Sequence, residues 1–236
     1  MKNSIKLQKQ YYSKDVAVHF DKGRMNANHM YKIETIESIF EKLSYKKNGL
    51  SVLELGGGTG LHAEHFLEKE SEYVNQFIFS DLSEDMLKVA QRRLLKYGEK
   101  VHFICSPGET FKLKQKVDCI YVSGAMHHFE DPEKVIENCY RYLSEHGILI
   151  ICEPVITNLY AWPRVIFKPE EYGQFHVTSK NVSKWLEKQR YKVVEKKWLH
   201  YRSNYKVFRF LMNLEKITWM NWSAVMFVVV GRKEEE

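Results

Sequence analysis

The sequence predicts an α/β protein built on a doubly wound, largely parallel sheet, and three observations carry that expectation. Continuous apolar runs recur along the chain with amphipathic stretches between them, the pattern of strands buried on both faces and crossed over by helices. The first complete run opens into a glycine-rich loop, Gly56-Gly57-Gly58-Thr59-Gly60. The last, Ala224 to Val230, is short and rich in β-branched residues, which suits a buried strand.

Each element can be justified in order. Ser51 to Leu55 is an apolar run that ends on glycine, hence a first strand. Leu61 to Lys69 places Leu61, His62, His65, Phe66 and Leu67 at helical spacing. Gln76 to Phe79 reads as the second strand. Ser83 is an N-cap followed by acids at 84 and 85, and its helix sets Met86, Leu87, Ala90, Leu94 and Leu95 on one face. Val101 to Cys105 and Val117 to Val122 are the third and fourth strands. Asp131-Pro132-Glu133 begins a helix, with proline in the first turn and acids at the positive end of the dipole. That helix turns Val135, Ile136, Cys139, Tyr140 and Leu143 inward and is expected to stop near His146-Gly147. Gly147 to Cys152 is a fifth strand. A looser, aromatic-rich stretch covers 154–177. A helix over 179–189, a strand over 191–198, a second aromatic stretch over 199–222 and the last strand complete the chain. Residues 1–45 read as one or two helices outside the alternating core, packed across its open end as a lid, with 46–236 forming the main domain.

Composition narrows the function classes. The 236 residues suffice for one sizeable domain. No apolar run reaches the roughly 18–20 residues of a membrane-spanning helix, and no secretory signal stands at the N-terminus. The four cysteines form no C-x-x-C pair, so buried free thiols in a reducing, cytoplasmic compartment are expected, and no metal. The net charge of +6 is scattered along the sequence, unlike the concentrated charge of a nucleic-acid binder. A small-molecule partner is expected instead of a nucleic acid, in a monomer or homodimer.

The glycine loop follows the first strand, where doubly wound sheets bind ligands. Its glycines let the backbone approach a ligand closely, with amides of the loop and of the next helix turned toward it. About 25 residues on, the second strand ends in Asp81, whose carboxylate can accept both hydroxyls of a ribose. Gly58-Thr59-Gly60-Leu61-His62-Ala63 also satisfies the dinucleotide pattern G-x-G-x-x-A. Against a dinucleotide stand the longer turn made by Gly56-Gly57 and the acid Glu54, which repels phosphate but suits an ammonium.

At these residues the chain resembles the class I methyltransferases that use S-adenosylmethionine (SAM), in particular the group similar to ubiquinone/menaquinone-biosynthesis methyltransferases. The resemblance rests on Val52 to Gly60, on Ser80 to Leu87, on Val117 to Ile120 followed by His127-His128 and Asp131-Pro132, and on Arg141 to Ile150. It implies a seven-stranded sheet of order 3-2-1-4-5-7-6 with the last strand antiparallel. It implies S-adenosylhomocysteine (SAH) as product. It also implies that Glu54 serves the methionine end, Gly56 and Gly58 make backbone contacts, Asp81 holds the ribose, and Leu82 and Met86 flank the adenine. Where the family commonly carries Gly-Asp after the third strand, this chain has Ser106-Pro107-Gly108-Glu109. Either Glu109 replaces that acid, or backbone and apolar contacts alone hold the adenine.

Methyl transfer from a sulfonium is chiefly a matter of alignment, and a base is needed only where the nucleophile arrives protonated. His127 and His128, just past the fourth strand, either supply that base, with His128 preferred, or only shape the loop. From the lid, Arg24 is placed to pair with the cofactor's carboxylate, Tyr11 or Tyr12 to close over it, and His19 and His29 to reach the site. The aromatics of 154–177 and 199–222 either line an acceptor pocket or fill the core. The expected reaction is methyl transfer to oxygen or nitrogen, less readily carbon, of a small molecule. A non-catalytic SAM-binding subunit and an NAD-dependent oxidoreductase are the competing readings.

Overall fold

The structure, a computed structural model, describes residues 12, 14–21, 27–43, 48–155, 169–200 and 224–234. Tyr11, Arg24, the side chain of His29 and most of the aromatic residues in 154–177 and 199–222 lie outside the described residues.

Seven strands form one sheet: β1 (Leu50–Leu55), β2 (Val74–Asp81), β3 (Val101–Cys105), β4 (Val117–Ser123), β5 (Leu143–Pro154), β6 (Tyr191–His200) and β7 (Ala224–Lys233). Their order is β3-β2-β1-β4-β5-β7-β6, as the family resemblance implies. β1 pairs parallel with both β2 and β4, β2 with β3, and β4 with β5. β7 runs antiparallel between β5 and β6. Winding therefore reverses beside β1, and the loops leaving β1 and β4 meet at the carboxyl end of the sheet.

The helices are α1 (Lys14–His19), α2 (Ala27–Leu43), α3 (Leu61–Glu70), α4 (Glu84–Arg93), α5 (Pro132–Tyr142) and α6 (Ser179–Lys188). Local chemistry starts three of them. Ser83 accepts from the Met86 amide ahead of α4, Asp131 from the Lys134 amide ahead of α5, and Thr178 from the Asn181 amide ahead of α6. α5 ends at Tyr142, before the expected stop near His146-Gly147. Leu143 already pairs with Val117, and an irregularity in register then absorbs the residues up to Ile148. His146 takes a positive φ of 63° within that irregularity.

Every residue of β1 is buried, as a strand covered on both faces must be. On one face Val52, Phe77, Phe79 and Tyr121 pack against Ile36 and Phe40 of α2 and Phe66 and Leu67 of α3. On the other, Leu53, Leu55, Ile120 and Val122 meet Val135, Ile136 and Cys139 of α5 and Val182 and Leu186 of α6. The expectation that residues 1–45 stay outside the core therefore needs correcting for α2. Its Ile33, Ile36, Ile39 and Phe40 are buried, so α2 is a layer of the core. Cys119, Cys139 and Cys152 are buried free thiols as expected, whereas Cys105, at the end of edge strand β3, is exposed. No helix among the described residues is long and apolar enough to cross a membrane.

Candidate active site

The loop after β1 is shaped by two close approaches. Gly56 has a φ of 72°, and a Cβ there would lie 2.5 Å from the Ala125 Cβ. A Cβ on Gly57 would lie 2.3 Å from the ring of Phe79, which is buried and has nowhere to move. The loop amides do not face outward as expected. Those of Gly56 and Gly57 donate to the Ser80 carbonyl at 2.8 and 3.1 Å, and that of Gly60 to the Gly57 carbonyl at 3.2 Å. The Gly58 amide donates to Asp81 Oδ2 at 2.8 Å. The loop thus spends its donors fastening itself to the end of β2, and these four are not available to a pyrophosphate. This geometry disfavours a dinucleotide.

Asp81 closes β2. Its Oδ1 accepts from the Ser83 amide at 2.8 Å, and burial raises its pKa against the pull of the Ser83, Gly58 and Leu82 amides. A carboxylate has about four lone-pair sites, so these backbone donors still leave room for a hydroxyl. Glu54 stands on β1 with Tyr121 of β4 and Phe79 of β2 as its register partners. Burial pushes its pKa up to about 8, although the Tyr121 hydroxyl and the Lys32 ammonium favour its charged form; Asp81 adds to the rise. His62 Nδ1 lies 3.7 Å from Glu54 Oε1. The buried Oε2 of Glu54 has no hydrogen-bond partner among the described residues. An unsatisfied buried acid on a cavity wall suits a cationic ligand group.

That cavity is walled by Glu54, the glycine loop, Asp81, Leu82, Met86 and His128, together with Tyr12, Phe20 and Asp21. Tyr12, Phe20 and Asp21 form its cover. Ser83 Oγ donates to the Tyr12 carbonyl at 2.6 Å, and Thr59 Oγ1 to Asp21 Oδ1 at 2.7 Å. Arg93 of α4 donates to Asp21 Oδ2 at 2.5 Å. Sequence reasoning found Tyr12 but missed Asp21, Thr59 and Lys32. Asp21 and Arg93 are 72 positions apart, and no local pattern announces such a pair. His19, at the end of α1, is exposed and is not among the lining residues.

Glu109 is not part of the wall. Its Oε1 accepts from the Glu130 and Asp131 amides at 2.9 and 3.3 Å, holding the turn ahead of α5. Leu82 and Met86, by contrast, line the cavity.

The adjacent histidines face different surroundings. His128 lines the cavity, and its Nε2 lies 3.0 Å from the Tyr12 hydroxyl. His127 is buried between two carboxylates, with Nδ1 at 2.5 Å from Glu153 Oε2 and Nε2 at 3.2 Å from Glu171 Oε2. Burial alone would lower its pKa; Glu153 and Glu171 outweigh that and hold it at about 9. Glu153 Oε1 also accepts from the Ala125 and Met126 amides at 2.9 and 2.8 Å. His127 therefore anchors the single 3-10 turn Met126–His128 that presents its neighbour to the cavity.

Comparison with known proteins agrees with this geometry. Residues 53–151 match the family model described as a methyltransferase domain. A ubiquinone/menaquinone biosynthesis C-methyltransferase, UbiE, from Legionella pneumophila is 27% identical over 162 residues, 62% of this chain and 62% of that protein. The match thus spans about three fifths of that relative's length. Among solved structures, the N-methyltransferase NodS from Bradyrhizobium japonicum, in complex with SAH, aligns with a TM-score of 0.69 at 16% identity, over 96% of this chain and 98% of that one. A SAM-dependent methyltransferase from Archaeoglobus fulgidus aligns at 0.63 with 18% identity, over 92% and 98%. The methyltransferase-domain match over the strands that build the site, together with that sheet order around it, supports a class I SAM-dependent methyltransferase family.

Proposed function

We propose that this chain transfers a methyl group from SAM to an oxygen or nitrogen atom of a small-molecule acceptor. One observation carries the reading: buried Glu54, Asp81 and the histidine His128 all open onto the same cavity. Glu54 receives the ammonium of the methionine end. Asp81 accepts the ribose hydroxyls, Gly56 and Gly58 let the backbone close on the ligand, and Leu82 and Met86 flank the adenine. When bound, SAM supplies a methyl group already activated on a sulfonium. What remains for the protein is alignment, which is worth roughly 7–11 kcal/mol in well-oriented systems. Tyr12 and Phe20 cover the cavity, and their rings meet edge-on at 5.7 Å. His128, oriented by the Tyr12 hydroxyl, accepts the proton of the acceptor's hydroxyl or ammonium.

A carbon acceptor is the second reading, favoured by the likeness to the Legionella C-methyltransferase. Labelled SAM offered to a panel of small molecules, with the methyl position located by mass fragmentation, separates the two. For an oxygen or nitrogen acceptor, His128→Ala should slow turnover by about 10²–10⁴-fold while SAH affinity changes little. Methylation of tRNA or protein with none of small molecules would contradict the proposal.

A further inference from the structure

Behind the 3-10 turn, three side chains from two distant segments converge. His127, His128 and Glu171 each offer a ligand atom, and the three atoms lie within 4.8 Å of one another. We propose that His127, His128 and Glu171 form a binding site for one divalent transition-metal ion at the edge of the methyl-transfer cavity.

The geometry carries the argument. Ligand atoms held at about 2.0–2.2 Å from one ion sit roughly 3 Å apart. His127 Nε2 and Glu171 Oε2 are 3.2 Å apart across a hydrogen bond, and an ion that displaces the Nε2 proton can join them with little movement of either. The other ring nitrogen of His127 lies 2.5 Å from Glu153 Oε2. A carboxylate behind a ligating imidazole fixes its tautomer and strengthens it as a ligand. Glu153 is in turn locked by the Ala125 and Met126 amides, and Gln174 donates to Glu171 Oε2. Glu153 and Gln174 are buried like His127 and Glu171 themselves, so this outer shell is a built one. Two imidazoles and one carboxylate suit zinc and its neighbours better than magnesium or calcium, which prefer oxygen ligands. Three protein ligands leave a position open. Because His128 also lines the cavity, the ion would border it, and with the ion bound His128 serves as its ligand instead of as the proton acceptor.

The inference goes beyond the methyl-transfer reading, and its readout needs neither cofactor nor acceptor. Chelator-treated full-length chain would be titrated with Co²⁺, following ligand-field absorption and calorimetric stoichiometry, with SAH binding measured on the same samples. One Co²⁺ per chain is expected. His128→Ala and Glu171→Gln should each weaken it more than tenfold, and Glu153→Gln about 10–100-fold. Glu171→Gln nearly preserves shape, and thermal melting of each variant shows whether it is folded. Wild-type protein that binds SAH but no Co²⁺ would overturn the metal site and leave the methyl-transfer reading standing. Co²⁺ binding unchanged in both His128→Ala and Glu171→Gln would also overturn it. Co²⁺ binding with no affinity for SAH would instead count against the cofactor assignment.

Discussion

Glu54 is where stability and function pull in opposite directions. Its carboxyl is held near 8 by burial, against an ordinary value of 4.5, so the ligand-free protein keeps a proton there that the unfolded chain releases. The native state then binds more protons than the unfolded one between those values, and stability falls as pH rises through that window. An ammonium ligand needs the ionised form. SAH affinity should therefore rise with pH up to about 8, by at most about tenfold per unit. The groups facing Glu54 are Tyr121 on β4, His62 on α3, Lys32 on α2 and Asp81 on β2, and all remain in Glu54→Gln. That variant should melt higher than wild type at pH 8 without ligand, bind SAH more weakly, and lose the pH slope. Calorimetry from pH 6 to 9 with matching thermal melts checks all three; an unchanged slope would remove Glu54 from the cofactor site. Gly57→Ala tests the neighbouring contact. Its methyl group meets the buried Phe79 ring, so a loss of about 1–3 kcal/mol in denaturant unfolding is expected.

Two N-caps separate local from tertiary effects at the level of elements. Asp131 caps α5, and Asp131→Ala should cost about 1 kcal/mol with SAH dissociation unchanged. Ser83 caps α4 and also donates to the Tyr12 carbonyl, so Ser83→Ala should show a similar loss and faster SAH release as the cover loosens. Urea unfolding and stopped-flow dissociation distinguish them. The caps were legible in sequence because their signal is local: Ser83 before two acids, Asp131 before proline. The end of α5 was not. Tyr140 and Leu143 continue a helical spacing, but pairing of Leu143 with Val117 of β4 claims the backbone first. α2 was missed as a core element for a related reason. Its buried Ile33, Ile36 and Phe40 follow helical spacing, yet which sheet face they cover is decided by strands that come later.

Across the whole molecule, the doubly wound sheet and a site in the loop after β1 were readable from the alternation of strands and helices, whereas the strand order was implied by the family resemblance. The partners of the site were readable only where one segment contains them. Glu54, the glycines and Asp81 stand at the ends of two strands, whereas the Asp21–Arg93 latch and the Glu153–His127–Glu171 chain join positions brought together by folding. Glu109 shows the same limit: after β3 the chain departs from the family's Gly-Asp, and only the fold shows that the Glu109 side chain is claimed by the Glu130 and Asp131 amides. The core that holds these ends in register is stitched by Phe66, whose ring lies 4.9 Å from Phe40, 5.8 Å from Phe77 and 5.6 Å from Tyr121. Phe66→Ala should cost about 3–5 kcal/mol in chemical denaturation. The central claim is that this fold and this cavity serve a nucleoside with a cationic methionine tail. Calorimetric titration of the wild-type chain with SAH and, separately, with NADH tests it most directly. One SAH bound per chain and no heat from NADH is the expected result; NADH binding without SAH binding would contradict the account.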